Sequence, residues 1–341
     1  MIAIRNGKGQ RARMVAIGSY VPERVLTNAD LEKLVDTTDE WIVSRTGIRE
    51  RRIAEPDQST ADLATKAAEN ILATAGISAE DIDVLMVPTA TPEYLFPSTA
   101  AVVQDRIGAT NAASFDLLAA CSGFIYGLAQ ACALVESGLA KNVLVIGAET
   151  LSRIADYTDR STCVLFGDGA AGALIQASDD EALTGFLGFD LGTDGSGGKD
   201  LLIPVGGSRN PPHMPFARED AFLKMNGPSV FKFATRVIAD STTRLLDALE
   251  VSIDEIDLFV PHQANTRIID HAVERLGIDP AKVVVNLDRF GNTSSASVPM
   301  AMTEARDQGR LKPGDLLLLI AFGGGLTWGS TVVRYEPLVA A

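Results

Sequence analysis

The chain has 341 residues, 46% hydrophobic and 22% charged, with 30 glycines and 15 prolines spread along it. That composition supplies the core of one large or two medium domains, and no run approaches the ~18 apolar residues of a membrane helix. A net charge of −14 and a pI near 4.7 argue against a nucleic-acid binder, and an acidic protein partner would need a local basic patch.

The first twenty residues contain no apolar stretch ahead of a small-residue cleavage site, so no signal peptide is expected. Cys121, Cys132 and Cys163 form neither an even framework nor a paired metal spacing, which points to a reducing cytoplasm. His213, His262 and His271 fit no metal motif, and no metal site is expected.

In chain order, residues 61–75 read as a helix. They lead into Ile77-Ser-Ala-Glu-Asp-Ile-Asp-Val-Leu-Met-Val-Pro88, whose apolar end reads as a buried strand. A helix over 98–107 and a strand over 113–118 follow. Then comes Phe115-Asp-Leu-Leu-Ala-Ala-Cys-Ser-Gly-Phe124 and an outgoing helix, 124–135, apolar nearly all round and closed at Gly138. A strand over 143–147 ends in Ala148-Glu149-Thr150, read as a small-residue loop, and Cys163 reads as part of an apolar strand.

The pattern then returns. A helix over 230–249 precedes Val251-Ser-Ile-Asp-Glu-Ile-Asp-Leu-Phe-Val-Pro261; a helix over 265–276 and a strand over 283–287 follow, and a strand over 316–322 ends in Gly323-Gly-Gly325. Chance similarity of two βαβ units and duplication both account for the paired segments. The offset favours duplication, since one copy runs into Cys121 and the other into Asn292. Two halves, residues 1–180 and 181–341, with mostly parallel sheets would stack about a pseudo-twofold as a layered α/β body. Strand ends of both halves would then converge on one site.

Cys121 lies at a strand-to-helix turn, where the positive end of the helix dipole is expected to lower its thiol pKa. Cys132 and Cys163 read as small core hydrophobes. His262, in Val260-Pro-His-Gln-Ala-Asn265, follows a strand, whereas His213 reads as a loop residue. Asn292, in Arg289-Phe-Gly-Asn-Thr-Ser-Ser-Ala-Ser297, reads either as a turn and helix cap or as a site residue. Gly323-Gly-Gly325 is either a flexible turn or a close-approaching backbone with an N–H for an oxyanion.

At these residues the chain resembles the β-ketoacyl-acyl-carrier-protein synthase III family of the thiolase superfamily, from about Met14 to Arg334. Five segments carry the likeness in order: Asp39-Glu-Trp-Ile-Val-Ser-Arg-Thr-Gly-Ile-Arg-Glu-Arg51, Ala119-Ala-Cys-Ser-Gly-Phe124, Val260-Pro-His-Gln-Ala-Asn265, Gly291-Asn-Thr-Ser-Ser-Ala-Ser297 and Phe322-Gly-Gly-Gly-Leu-Thr-Trp-Gly329. The resemblance implies an α/β thiolase-like fold of duplicated βαβαβαββ halves in an α-β-α-β-α body. It implies a Cys121–His262–Asn292 triad, a homodimer, and decarboxylative condensation of an acyl-CoA with malonyl-acyl-carrier protein. Coenzyme A enters as a thioester substrate and no cofactor is implied.

By the same resemblance, Gly324 contributes to the oxyanion hole and Phe322 keeps the decarboxylation pocket apolar. Trp41 and Arg45 bracket the adenine of CoA, with Arg160 on its other side. Thr37, Met225, Gly227, Phe231 and Asn265 line the nucleotide and pantetheine tunnel. Ser161 stands where the family often has glycine, which alters the wall beside the adenine. Phe96 matches a position that floors the partner subunit's acyl pocket, where a bulky ring favours short primers such as acetyl. Lys232, Arg236, Arg267 and Arg275 are the expected carrier-protein patch, with Glu274 interrupting it. The alternatives are a condensing enzyme of specialised metabolism with another primer, a Cys–His hydrolase, and a non-catalytic partner subunit on the same fold.

Overall fold

The structure, a computed structural model, describes residues 1–4, 11–178 and 185–338. The boundary between residues 180 and 181 therefore lies outside the described residues.

Local chemistry sets the elements. The helix Thr60–Ala75 starts at Ser59, whose hydroxyl accepts the Asp62 N–H while the Asp62 carboxylate accepts the Ser59 N–H, and it stops at Gly76 with φ +66°. Such a cap is worth about 1 kcal/mol against alanine. Leu63, Ala64, Ala67, Ala68, Ile71 and Leu72 line one face and are buried, the spacing a helix needs to cover a sheet.

The duplication is visible in hydrogen bonds. Ser78 and Ser252 each cap a single 3₁₀ turn, Ala79–Asp81 and Ile253–Glu255. Asp83 then accepts the Asn142 N–H at 2.9 Å, and Asp257 accepts the Leu316 N–H at 2.8 Å. Each aspartate thus ties the second strand of its half to the start of the strand beside it.

Two five-stranded sheets result. The first runs Arg11–Tyr20, Asp168–Ser178, Asn142–Thr150, Val84–Pro88, Ala113–Leu117; the second runs Ile2–Ile4, Phe186–Thr193, Thr327–Arg334, Leu316–Gly323, Leu258–Pro261. Between them lie the helices Gly123–Glu136 and Ser297–Asp307, whose Phe124, Leu128, Val298 and Met302 share one core with Val143, Val145, Leu317 and Leu319. Thr60–Ala75 and Thr99–Ile107 cover the first sheet, and Gly227–Leu249 and Thr266–Leu276 the second. The layers are α-β-α-β-α. The central helix packs tightly: a Cβ on Gly127 would stand 2.7 Å from Val145 Cγ1.

Four expectations need correction. The sheets are mixed rather than mostly parallel. Val84–Pro88 is parallel to both its neighbours, but the last two strands of each half are joined without a crossover helix and run antiparallel. The strand over 283–287 is reduced to a bridge between Val283 and Phe259, because the Gln263 side chain takes its ladder bonds, donating to Val284 O at 3.1 Å and accepting from Asn286 N at 3.0 Å. Cys163 lies in a turn, where Asp159 O accepts the Thr162 and Cys163 N–H groups. Ala148, Glu149 and Thr150 continue their strand instead of forming a loop. Among the described residues, no helix is long and apolar enough to cross a membrane.

Candidate active site

A cavity of about 850 Å³ opens at the carboxyl ends of the parallel strands and receives residues from both halves. Cys121, His262, Asn292, Phe322 and Gly324 all line it. Cys121 lies in the 3₁₀ turn Ala120–Ser122 directly before the helix Gly123–Glu136. Ala120 is held at φ +46°, a left-handed conformation that costs a non-glycine residue roughly 1–2 kcal/mol. Ser122 Oγ to Thr327 Oγ1 at 2.6 Å, and Thr327 Oγ1 to Ala119 O at 3.0 Å, pin this turn to the second half. A Cβ on Gly323 would stand 2.6 Å from the Cys121 nitrogen, so glycine is required for that strand end to reach the nucleophile turn.

The expected low thiol pKa is not found. Burial pushes the Cys121 thiol up to about 12, eased by the Ser294 hydroxyl and reinforced by the nearby Glu149 carboxylate. Desolvation of a sulfur walled by apolar side chains outweighs the helix dipole.

His262 follows Leu258–Pro261 and is buried; its Nδ1 lies 2.6 Å from Ser297 Oγ and its ring meets Phe322 edge-on at 5.2 Å between centroids. Ser297 Oγ also accepts the Gln263 N–H at 3.5 Å. When the Ser297 hydroxyl donates to Nδ1, the neutral imidazole carries its proton on Nε2. Burial drives the ring pKa down to about 3, so His262 is neutral. Asn292 Oδ1 accepts the Ser294 N–H at 2.8 Å, which occupies its carbonyl and leaves the amide NH₂ as its donor. Its backbone bonds to Leu165 O and Gly167 N fix it beside the first half.

At the mouth, Trp41 and Arg45 share the helix Asp39–Thr46, with the Arg45 guanidinium 5.9 Å from the Trp41 ring and that of Arg160 at 5.2 Å. Both cations rest on the indole, and Arg160 is further held by Asp36 O at 2.6 Å. Met225, Gly227, Phe231, Asn265 and Arg267 line the cavity; Thr37, Arg160, Phe96, Lys232, Arg236 and Arg275 do not. Thr37 Oγ1 is buried and finds no partner among the described residues. Asn265 caps Thr266–Leu276 and donates to Arg45 O at 3.0 Å, tying the two mouth helices together. Arg267 lies over Phe231, while Arg275 is paired with Asp240 at 2.8 Å. Phe96 is 86% exposed, beside Leu95 at 81%.

Ser297, Ser294 and Glu149 were not singled out by the sequence. Ser297 and Ser294 belong to the Asn292 segment, and an acidic residue closing the apolar run Val143–Ile146 was the signal for Glu149. The apolar wall of Leu151, Ile154, Leu201, Leu202 and Leu223 had no signal, because it is assembled from separate turns.

The layered, duplicated body is that of a thiolase-fold acyltransferase. The 3-oxoacyl-[acyl-carrier-protein] synthase III family matches residues 115–195, and its C-terminal region matches residues 246–335. The β-ketoacyl-[acyl-carrier-protein] synthase III of Desulfitobacterium hafniense (strain Y51) is 51% identical over 324 residues, covering 95% of this chain and 97% of its own. That of Caldanaerobacter subterraneus is 52% identical over 326 residues, covering 95% and 98%. The Thermus thermophilus synthase III crystal structure superposes with a TM-score of 0.88 at 50% identity, covering 96% of this chain and 100% of that one. The chain belongs to the β-ketoacyl-acyl-carrier-protein synthase III family.

Proposed function

We propose that the protein condenses a short acyl-CoA, acetyl-CoA first among them, with malonyl-acyl-carrier protein through an acyl-Cys121 intermediate, initiating fatty acid synthesis in the cytoplasm. The observation that carries this reading is the meeting of Cys121, His262 and Asn292, from opposite halves, on one cavity wall.

In the first half-reaction the Cys121 sulfur attacks the acyl thioester. The tetrahedral oxyanion is met by the backbone N–H groups of Cys121 and Gly324, each worth ~3–4 kcal/mol of barrier. CoA leaves as the free thiol. In the second, malonyl-acyl-carrier protein loses carbon dioxide, and the enolate oxygen accepts from His262 Nε2–H and the Asn292 NH₂. A neutral histidine and an untitratable amide supply those donors across the working pH range. Phe322, against the imidazole, keeps the carboxylate's surroundings apolar, so its departure as uncharged carbon dioxide is favoured. The carbanion attacks acyl-Cys121, and the expelled cysteine thiolate takes up the one proton that the overall reaction consumes, which restores the thiol. The sequence of steps uses CoA thioester as substrate and calls for no cofactor.

Trp41, Arg45 and Arg160 form the adenine end of the CoA path, with Met225, Gly227, Phe231 and Asn265 along it and Thr37 outside the cavity lining; stacking on indole and guanidinium suits a purine. Arg267, at the rim, is the inner member of a carrier-protein patch with Lys232 and Arg236, while Arg275 is already neutralised by Asp240. A homodimer is supported by the edge strand Ala113–Leu117, which pairs on one side only among the described residues, and by exposed Tyr94, Leu95, Phe96, Phe115 and Leu118 beside it. Leu118 also lines the cavity, so a partner's Phe96 set there would limit primer length.

Intact-mass spectrometry tests the reading. Acetyl-CoA should add one acetyl group, and malonyl-acyl-carrier protein should discharge it as β-ketoacyl product. Discharge only to acetate would point to a hydrolase, and preference for octanoyl-CoA would remove the short primer.

A further inference from the structure

Arg51, the last residue of the family-like segment at 39–51, has no part in the steps above. It belongs to the short strand Glu50–Arg52 and is fully buried, the bulkiest such side chain among the described residues. Burial lowers its pKa only to about 10, so it is a cation at neutral pH. Its guanidinium nevertheless meets three uncharged oxygens. Nη1 donates to Leu26 O at 3.1 Å and to Asn28 Oδ1 at 2.9 Å, and Nη2 donates to Val164 O at 2.8 Å. Nε finds no partner among the described residues. A buried charge without an ion partner is costly, and an apolar chain of similar volume would fill the space without that cost. The guanidinium instead ties together two segments that support the site.

One arm supports Asn292. Val164 opens the stretch 164–167, whose Val164, Leu165 and Phe166 line the cavity. Leu165 O accepts the Asn292 N–H at 2.8 Å and the Gly167 N–H donates to Asn292 O at 3.0 Å, so Asn292 is gripped on both sides. Arg51 also lies against this bridge: Cβ atoms on Gly167 and Gly291 would stand 3.1 and 3.3 Å from its own Cβ. The other arm reaches toward the cavity mouth. Asn28 Nδ2 donates to Ile48 O and to Asp39 Oδ1, each at 2.8 Å, and Asp39 begins the helix that carries Trp41 and Arg45. The planar fork therefore spans the support of the Asn292 amide and the support of the mouth helix, with both Nη atoms committed.

We propose that Arg51 is a positioning residue for decarboxylation: held at one end by Asn28, it fixes the stretch 164–167 and with it the Asn292 amide that faces the enolate oxygen. The inference rests on the reading of Asn292 as an enolate donor. A lysine keeps the charge but offers one ammonium where the fork offers two separated nitrogens, so it cannot hold both arms at once. With the arms no longer tied together, Asn292 keeps its chemistry and loses its position.

Single-turnover assays of the wild type, Arg51→Lys, Asn292→Ala and the double variant test this, with folding checked by denaturant titration. Acylation at saturating acetyl-CoA should stay within about twofold in Arg51→Lys, while discharge of the acetyl-enzyme by malonyl-acyl-carrier protein should slow about tenfold. Added to Asn292→Ala, the same substitution should slow discharge by less than about twofold, because the amide it places is gone. Equal slowing of both half-reactions, wild-type discharge in Arg51→Lys, or the full loss repeated in the Asn292→Ala background each overturns the proposal. If Arg51→Lys does not fold, Arg51→Met is read by the same criteria; failure of both to fold marks a purely structural residue and overturns it too. Wild-type discharge in Asn292→Ala alone removes the reading of Asn292 instead, a distinct result.

Discussion

The repeated Val-Pro steps put Thr89 in the first half where the second has His262. Counted from their paired starts, Asn142–Thr150 and Leu316–Gly323 put Glu149 where the second half has Gly323. One backbone frame thus presents two sets of groups at its strand ends. The first half carries the threonine hydroxyls of Thr89 and Thr91 and the buried Glu149 carboxyl they donate to. The second supplies neutral N–H donors and a bare backbone that presses against the nucleophile. On the proposed reading, the first half serves acyl transfer and the second serves decarboxylation.

The sharpest way to break this division is to remove the second half's donors. His262→Ala and Asn292→Ala should each slow decarboxylative discharge by roughly 10²–10³-fold, while acylation of Cys121 stays within severalfold of wild type. Stopped-flow release of CoA and carbon dioxide separates the two. Gly323→Ala attacks the junction between the halves. Its Cβ would meet the Cys121 nitrogen at 2.6 Å, so we expect roughly 10²-fold slower acylation from the displaced turn and about 1–3 kcal/mol of lost stability by denaturant titration.

Smaller effects sharpen the comparison. Ser297→Ala frees the imidazole and should cost about 1–1.5 kcal/mol, roughly tenfold, in discharge alone. The pKa of His262 is depressed to about 3, so the ring stays neutral until well below the usual ~6.5. Discharge should therefore show no acid limb near that value, and a limb there that vanishes in a histidine variant would contradict the assignment. Trp41→Ala should raise the acyl-CoA KM several-fold, about 1 kcal/mol, with kcat little changed in steady-state assays.

Periodicity and capping made the helices and the repeat legible, since Ser78 with Asp81 and Ser252 with Glu255 are local signals. The lost strand at 283–287 was not legible, because a single glutamine side chain from another segment replaced its ladder. Strand direction depended on which connections cross the sheet, which apolar runs do not record. Cys121, His262 and Asn292 stood out by position and resemblance. The sign of the thiol shift did not, because it is decided by how completely three distant segments wall off the sulfur. Glu149 and Ser297 escaped for the same reason: their partners lie 146 and 35 residues away.

The most direct measurement compares wild type and His262→Ala after acetyl-CoA treatment, with the acetyl group located by tandem mass spectrometry of peptides before and after malonyl-acyl-carrier protein is added. The account predicts acetyl on Cys121 in both proteins, cleared from the wild type as β-ketoacyl product and retained by the variant. Acetyl on Cys132 or Cys163 instead, or equal clearance from both proteins, would contradict it.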